Sequence, residues 1–496
     1  MINKRTFLKS IDCDTAGWIE HNNSKKPLTI DEELRIFQGN QVGTLARTHY
    51  SKGQLVSGST IQSAIAYTQQ LINTHKNIIL FEGAFEHNGF VARPDILVKT
   101  GEDYQLIEVK SSTPKKLNTA EGKPYLDDIA YTFWIVSSTG INITNAQLWF
   151  LNKSYRMGDN PLNLFQKDDC TEQAYDQAQE YTILGPGKKS VIINASIQPA
   201  GVLQATCKGC EHNHSCFPNF DQFTLFQIPK MTKKKIQDYI DQGITSASLI
   251  PSDKIPDAGL NAYTCLVNGQ PLCQKQPVKD AIAQWEYPVG YFDFETINPA
   301  LPIIADCEPY AQIPFQYSLH IAQTAQQDKT TYQHKEFLAN PDHFEPEVLN
   351  LAQQMAADLK DCKTIVAYHM SFEQARTKWL AEWVNQKGEP QLANQLMAIR
   401  ERFVDLEPLI KDHFYDLSFK GSYSIKKVLP VIAPGLTYQG MNVSNGADAA
   451  GVFLNKLLCR EQELVKKGYT IPSSADLLAY CKQDTWAMVE IVDYFI

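Results

Sequence analysis

The chain has 496 residues, 43% of them hydrophobic and 20% charged, with a formal net charge of −9. That length exceeds what one hydrophobic core organises, so two or three domains are expected, and the composition excludes a disordered or fibrous chain. The acidic balance excludes attraction of nucleic acid by bulk charge and leaves that task to local clusters such as Lys115-Lys116, Lys188-Lys189, Lys230 to Lys235 and Lys426-Lys427.

No apolar run reaches membrane-spanning length, and the opening MINKRTFLKSIDCDTAG lacks the apolar stretch of a secretory signal. The expectation is a cytoplasmic protein with no membrane partner. Eleven scattered cysteines, an odd number, argue in a reducing compartment for metal ligation over disulfides.

Cys13 and Trp18 come first, followed by a helical stripe of Val42, Leu45, Ala46 and Tyr50. A second stripe, Ile61, Ala64, Ile65, Thr68 and Ile72, predicts another amphipathic helix. Ile78 to Phe85 reads as strand, and past Asn88-Gly89 a hairpin is expected: Gly89 to Val98, a turn at Thr100-Gly101-Glu102-Asp103, then Tyr104 to Val109. Residues two apart on a strand share a face, so Glu108 and Lys110 project together, and the hairpin brings Asp95 towards them. Asp95, Glu108 and the Val109 carbonyl suit a hard divalent cation, Mg²⁺ or Mn²⁺, with Lys110 placed to hold an attacking water or a developing phosphorane charge. A surface hairpin with an ordinary salt bridge would carry the same residues.

Tyr125 to Thr139 predicts a crossover helix and Ala146 to Leu151 a return strand. With Pro94 directly before Asp95, an apolar strand leading into Glu108-x-Lys110, and Ser111-Ser112 following, the segment resembles the RecB-type PD-(D/E)XK nucleases. Helix, three antiparallel strands, helix and strand is the core order that this resemblance implies. The chain departs from the pattern in two places. Gly43 stands where a first-helix His or Glu would complete the metal site, with His49 out of register. Thr132, beside Tyr131, stands where the crossover helix usually offers Gln.

Cys207, Cys210 and Cys216 are spaced C-x2-C-x5-C, and Cys13 lies far upstream. A four-thiolate set suits a [4Fe–4S] cluster or Zn²⁺, and His212 or His214 could replace one sulfur at zinc. One early and three late cysteines around a D…ExK core resemble the iron-sulfur RecB-type nucleases, including the CRISPR-associated and AddB groups, which implies [4Fe–4S]. From Phe217 to about Pro288 the chain is Pro-punctuated and reads as a connector with one helix, Thr232 to Gln242, stopped by Gly243.

Pro288 to Thr296, PVGYFDFET, predicts a buried strand on which Asp293 and Glu295 share a face. Burying two like charges that close needs a cation between them. Thr364 to Tyr368 is a second apolar strand leading into His369-Met370-Ser371-Phe372-Glu373 and a helix, and Tyr480 and Asp484 lie one helical turn apart. Three motifs in this order resemble the DEDD 3′→5′ exonucleases, of ribonuclease-H-like fold. The resemblance implies that Asp293, Glu295 and Asp484 clamp two ions, ~3.5–4 Å apart in such sites. It implies also that Glu373 acts directly or through water and that Tyr480 orients the nucleophilic water. Gly421 to Lys427 would open a helix facing the substrate backbone, with Lys426 at a phosphate or merely starting a charged helix.

With FDFETINPALP, PYAQIPFQYSLH, FKGSYSIKKVLP and YCKQDT, the chain resembles end to end an uncharacterised bacterial family joining an iron-sulfur RecB-like nuclease module to a domain with DEDD-like motifs. The expected architecture is therefore α/β: a PD-(D/E)XK domain with a four-cysteine metal cluster over 1–220, a connector over 221–285, and a DEDD exonuclease-like domain over 286–496. The expected activity is metal-dependent phosphodiester hydrolysis on nucleic acid, DNA with single-stranded ends, with an RNA exonuclease as a further reading. The rival expectation is a nucleic-acid-binding or complex-forming protein whose PD-(D/E)XK module has decayed around a structural cluster.

Overall fold

The first strands divide where the backbone chemistry requires it. Apolar residues run from Ile78 to Phe85, but Glu82 takes a positive φ of 55° and splits the run into two strands. The arm expected over 89–98 splits likewise at Arg93-Pro94, where proline has no N–H to give a ladder. The computed structural model describes residues 1–23, 26–194 and 196–496. It divides into two compact units, one of Met1–Val202 with Pro299–Ala311, the other of Leu203–Asn298 with Gln312–Ile496.

The strands of the first unit are β1 (Gln54–Leu55), β2 (Asn77–Phe81), β3 (Phe85–His87), β4 (Phe90–Ala92), β5 (Ile96–Thr100), β6 (Asp103–Lys110), β7 (Ile143–Leu151) and β8 (Phe165–Asp169). The short β3 and β4 pair with each other, and the remaining six form one sheet in the order β1-β2-β5-β6-β7-β8. β2, β5 and β6 meander antiparallel, and β7 returns parallel to β6 after the helix Lys123–Ser137. The predicted turn forms at Gly101, whose φ of 62° an L side chain rarely adopts.

The stripe of Val42 and Ala46 becomes the helix Ile30–Arg47, and the second stripe the helix Ile61–Thr74. Both begin with capping boxes, at Thr29/Glu32 and Thr60/Ser63, which satisfy otherwise orphaned first-turn amides. The core of this unit includes Phe7 from the helix Lys4–Asp12, packed against Phe90, Tyr131, Trp134 and Tyr181 with ring centroids 5.1 to 5.5 Å away. The excursion Pro299–Ala311 belongs here because its backbone is tied in. The Ala300 amide donates to Gln38 at 2.6 Å, the Met157 amide to the Cys307 carbonyl at 2.9 Å, and the Tyr310 hydroxyl to the Ser111 carbonyl.

The second unit starts at Leu203, not at 221, and the expected connector is part of it. Leu225, Phe226, Ile228, Met231, Ile236 and Ile250 pack into one core cluster with Ala205, Cys207 and Phe220. β9 (Leu272–Cys273), within the same stretch, pairs antiparallel with Phe414–Tyr415. The helix expected at 232–242 spans Lys233–Asp241, capped by the Thr232 hydroxyl and followed by Gly243 at φ 76°. Apolar residues at turn-like spacing thus make a packed layer where Pro content suggested a linker.

The main sheet of this unit has β10 (Val289–Ile297), β11 (Ile313–Ala322), β12 (Gln333–Leu338), β13 (Thr364–Ala367) and β14 (Phe403–Asp405) in the order β12-β11-β10-β13-β14. β11 runs antiparallel to both neighbours, whereas β10, β13 and β14 are parallel. Helices Phe344–Asp358, Met370–Gln386 and Ser474–Phe495 pack with the sheet, and β11 is buried along its whole length. No helix among the described residues is long and apolar enough to cross a membrane.

Candidate functional site

The first centre forms where β6 ends. Lys110 and Glu108 project from one face of β6 as their spacing requires, with Lys110 Nζ 3.4 Å from Glu108 Oε2. Asp95 lies just before β5, and its Oδ2 accepts the Val109 amide at 2.7 Å, which fixes the carboxylate beside the motif strand. Lys4 and Asp128, which no motif pointed to, complete the cluster together with Thr132. Lys4 Nζ reaches Glu108 Oε1 at 3.2 Å, Asp128 Oδ2 at 2.9 Å and Thr132 Oγ1 at 3.1 Å. Thr132 Oγ1 in turn donates to Glu108 Oε1 at 2.7 Å, and Lys110 is ion-paired with Asp128.

Burial pushes Glu108 up to about 7 despite the two ammonium groups that pull it down. Burial also works against ionised Asp128, but Lys110 and Lys4 outweigh it and hold that carboxyl below the usual range. Thr132, at the position where a glutamine was expected, is therefore a buried partner of the glutamate. Gly43 lies on the helix Ile30–Arg47 with open space where a Cβ would stand. His49 packs edge-on against Trp149 and Phe165, a packing role.

Cys13 belongs to the first unit, as N-cap of the helix Asp14–Asn22, and Cys207, Cys210 and Cys216 belong to the second. None of the four is in a disulfide. Cys207 and Cys210 share a tight turn, in which the Cys210 amide donates to the Cys207 carbonyl at 3.2 Å and the His212 amide to Cys210 Sγ at 3.4 Å.

The second centre gathers all of its expected residues from three elements. Asp293 and Glu295 come from β10, Glu373 from the first turn of the helix Met370–Gln386, and Tyr480 and Asp484 from one face of the helix Ser474–Phe495. They line one cleft of about 380 Å³, together with Lys426, Gly446, Tyr368, His369 and Phe372. Ligand atoms of Asp293, Glu295 and the adjacent Cys481 lie within 4.8 Å of one another.

Burial raises Asp293 and Glu295 well above the ordinary carboxylate range, and repulsion from Asp484 adds to it. Burial pushes Glu373 up to about 8, and its Oε2 is buried with no hydrogen-bond partner. Asp484 is raised less, because burial is opposed by Tyr438, Lys426 and Tyr480. The Tyr438 hydroxyl donates to Asp484 Oδ1 at 2.6 Å. Lys426 Nζ donates to the Tyr480 hydroxyl and to the Ser444 carbonyl, both at 2.9 Å, and lies 4.8 and 5.2 Å from the ring centroids of Tyr480 and Tyr438. Tyr438 has no motif around it, and only its position in space reveals it.

His369 holds a left-handed conformation, φ 81° and ψ 54°, ahead of the Glu373 helix. Its amide donates to Asp405 Oδ1 and its ring meets Glu407 Oε2, both at 3.0 Å. Such a conformation in a bulky residue is uncommon, and here it turns the chain sharply into the helix at the cleft rim. Of the basic clusters, Lys188 is paired with Asp14 at 2.8 Å, while Lys426 lines the cleft.

Residues 290–424 match the family described as Domain of unknown function (DUF2779). The chain is 30% identical over 217 residues to the uncharacterized protein MG366 homolog of Mycoplasma pneumoniae, covering 40% of this chain and 31% of that protein. It is 28% identical over 217 residues to the uncharacterized protein MG366 of Mycoplasma genitalium, 41% of this chain and 31% of the relative. To the uncharacterized protein UU173 of Ureaplasma parvum it is 25% identical over 240 residues, 45% and 33% of the two chains. The chain thus spans about a third of the length of the curated relatives it matches.

Proposed function

We propose that the protein is a metal-dependent nuclease whose working centre is the carboxylate cleft of the second unit. The observation that carries this reading is the convergence of Asp293, Glu295, Glu373 and Asp484, from three separate elements, around one cleft that Lys426 also lines. Four crowded carboxylates, three of them buried and Asp293 half-buried, are poorly stable alone and suit hard divalent cations, and the partnerless Glu373 Oε2 is a free oxygen donor for one of them. The sheet order, with one antiparallel strand between β12 and β10 and a parallel pair beyond, supports a ribonuclease-H-like fold of the DEDD type.

Mg²⁺ or Mn²⁺, when bound, supplies Lewis acidity to the phosphodiester and acidifies the attacking water. The protein's own contribution is position. Tyr480 receives the Lys426 N–H on its oxygen, which leaves its own proton free to orient water or Asp484. Tyr438 holds Asp484, and the rim residues His369 and Phe372 offer an imidazole and a ring face to the terminal nucleotide. The substrate class that suits this set is nucleic acid with single-stranded ends, and DNA is the one proposed. The test is release of nucleotides from a labelled single strand in Mg²⁺ or Mn²⁺: Asp293→Ala abolishes it, and unchanged release removes the centre from the account.

The meander, crossover helix and parallel return strand of the first unit support a PD-(D/E)XK reading of it. Asp95 Oδ1 accepts no hydrogen bond among the described residues, so Asp95 and Glu108 fit one hard cation. A second reading, in which this unit only binds nucleic acid, is favoured by the two lysines that already neutralise Glu108 and Asp128. Glu108→Ala and Lys110→Ala in an Asp293→Ala chain decide between them through the residual cleavage. The hydrogen bond that the His212 amide donates to Cys210 Sγ suits a thiolate ligand, and Cys207, Cys210 and Cys216 would supply three thiolates to a [4Fe–4S] cluster, with Zn²⁺ as the alternative.

A further inference from the structure

Lys4 occupies an unusual position for a surface-helix lysine. It stands in the first turn of the helix Lys4–Asp12, whose start is fixed from both sides. Ile2 is fully buried and bridges to Phe90, donating to the Gly89 carbonyl at 2.8 Å and accepting the Val91 amide at 2.9 Å. Phe7, one turn further on, is locked in the aromatic core. Between these anchors the ammonium group of Lys4 is delivered to Glu108 and Asp128, residues more than a hundred positions away.

Donor counting separates the two lysines of the centre. An ammonium has three N–H donors. Lys4 uses all three, on Glu108 Oε1, Asp128 Oδ2 and Thr132 Oγ1. Lys110 uses two, on Glu108 Oε2 and Asp128 Oδ2, and keeps one for a water or a phosphate oxygen. The side chain of Lys4 is therefore saturated within the protein, while that of Lys110 is not. Glu108 is divided in the same way: Oε1 is held by Lys4 and Thr132, and Oε2 faces Lys110 alone.

The balance of charge agrees with this division. With all three ionised, Asp95, Glu108 and Asp128 set against Lys4 and Lys110 leave one net negative charge for a divalent cation to meet, while the neighbouring Glu82 is paired with Arg47. Removal of Lys4 would expose a second carboxylate's worth of charge.

We propose that Lys4 is a positioning residue of the first centre: it ties down Asp128 and one oxygen of Glu108, restricts the centre to a single divalent cation at Asp95 and Glu108 Oε2, and leaves Lys110 as the lysine that meets substrate. The proposal rests on the metal-binding reading of this centre, and it assigns Asp128 to the lysines, not to the metal.

The test is Mn²⁺ binding, by calorimetry and by the electron paramagnetic resonance of free Mn²⁺, to the full chain carrying Asp293→Asn and Asp484→Asn to silence the second centre. That background is expected to bind one Mn²⁺, lost with Asp95→Asn. Adding Lys4→Met is expected to tighten Mn²⁺ about tenfold or to admit a second ion, because a positive charge beside the site has gone. Lys4→Met with Asp128→Asn removes one charge of each sign and is expected to return to one ion at the background affinity. Since metal binding itself refolds a destabilised centre, Lys4→Met should also show the larger Mn²⁺-dependent rise in melting temperature. Unchanged affinity and stoichiometry in Lys4→Met, or loss of binding in both Lys4 variants, overturns the role given to Lys4. Retention of Mn²⁺ by the Asp95→Asn chain overturns the metal reading of the centre, and the proposal with it.

Discussion

Replacing Asp293 by asparagine should make the metal-free protein more stable and the metal-loaded protein less so. Ligand oxygens of Asp293 and Glu295 lie within 4.8 Å of each other. Two unit charges at that separation repel by about 3.5 kcal/mol at an effective dielectric constant of about 20. Part of this is relieved because burial lets the carboxyls retain protons, and part by Lys426. A net gain of about 1 to 2 kcal/mol is therefore expected for Asp293→Asn in EDTA. With Asp95→Asn in both chains to silence the first centre, the chain that keeps Asp293 gains about 2.7 kcal/mol by mass action in Mn²⁺ at a hundred times its dissociation constant, and the Asp293→Asn chain gains little, so the order reverses. Urea unfolding followed by circular dichroism, with and without Mn²⁺, measures both quantities. A variant less stable than wild type in EDTA, or an equal gain from Mn²⁺ in both chains, would refute the account of a cleft held open by its own repulsion.

Three further outcomes are expected. Glu108, pushed up to about 7, and Glu373, up to about 8, both chiefly by burial, hold protons in the fold that a glutamate with an ordinary value of 4.5 releases when unfolded. The folded state then binds more protons, so in EDTA the unfolding free energy should fall as pH rises from about 4.5 to 8, and Glu373→Gln should make that fall shallower and end it near pH 7 in a pH series of urea titrations. Tyr438→Phe removes a charge-assisted bond of 2.6 Å from Asp484 and should lower kcat about tenfold with KM little changed, whereas an unaltered kcat would make Tyr438 a packing residue only. The 496-residue chain purified without oxygen should be brown with about four irons per chain and become colourless on Cys210→Ser; one zinc and no colour would assign the cysteines to zinc.

Within single elements the sequence was a good guide. The two-residue repeat put Glu108 with Lys110, and Asp293 with Glu295, on common faces, and the helical repeat put Tyr480 over Asp484. The order of helices and strands in the first unit was legible as well, because apolar periodicity follows from the geometry of the backbone itself. The strand over 89–98 was read too long, since its apolar pattern continued through Pro94 while the hydrogen-bond ladder did not. The stretch 221–285 was read as a connector because proline and polar residues dilute it, yet its scattered Phe and Ile side chains meet in one core.

What the sequence alone determined, then, was which side chains each strand or helix shows to one side. Which of those sides meet was decided by the tertiary structure. Lys4 enters a centre built 104 residues later because Ile2 is buried against β4 and Phe7 against the helix Lys123–Ser137, which carries Asp128 and Thr132. Tyr438 and Lys426 reach Asp484 and Tyr480 from a segment that shares no repeat with them. Local periodicity is dictated by bond geometry within a few residues, whereas the pairing of distant charges depends on the hydrophobic surfaces that bring their elements together, and no spacing rule along the chain encodes that.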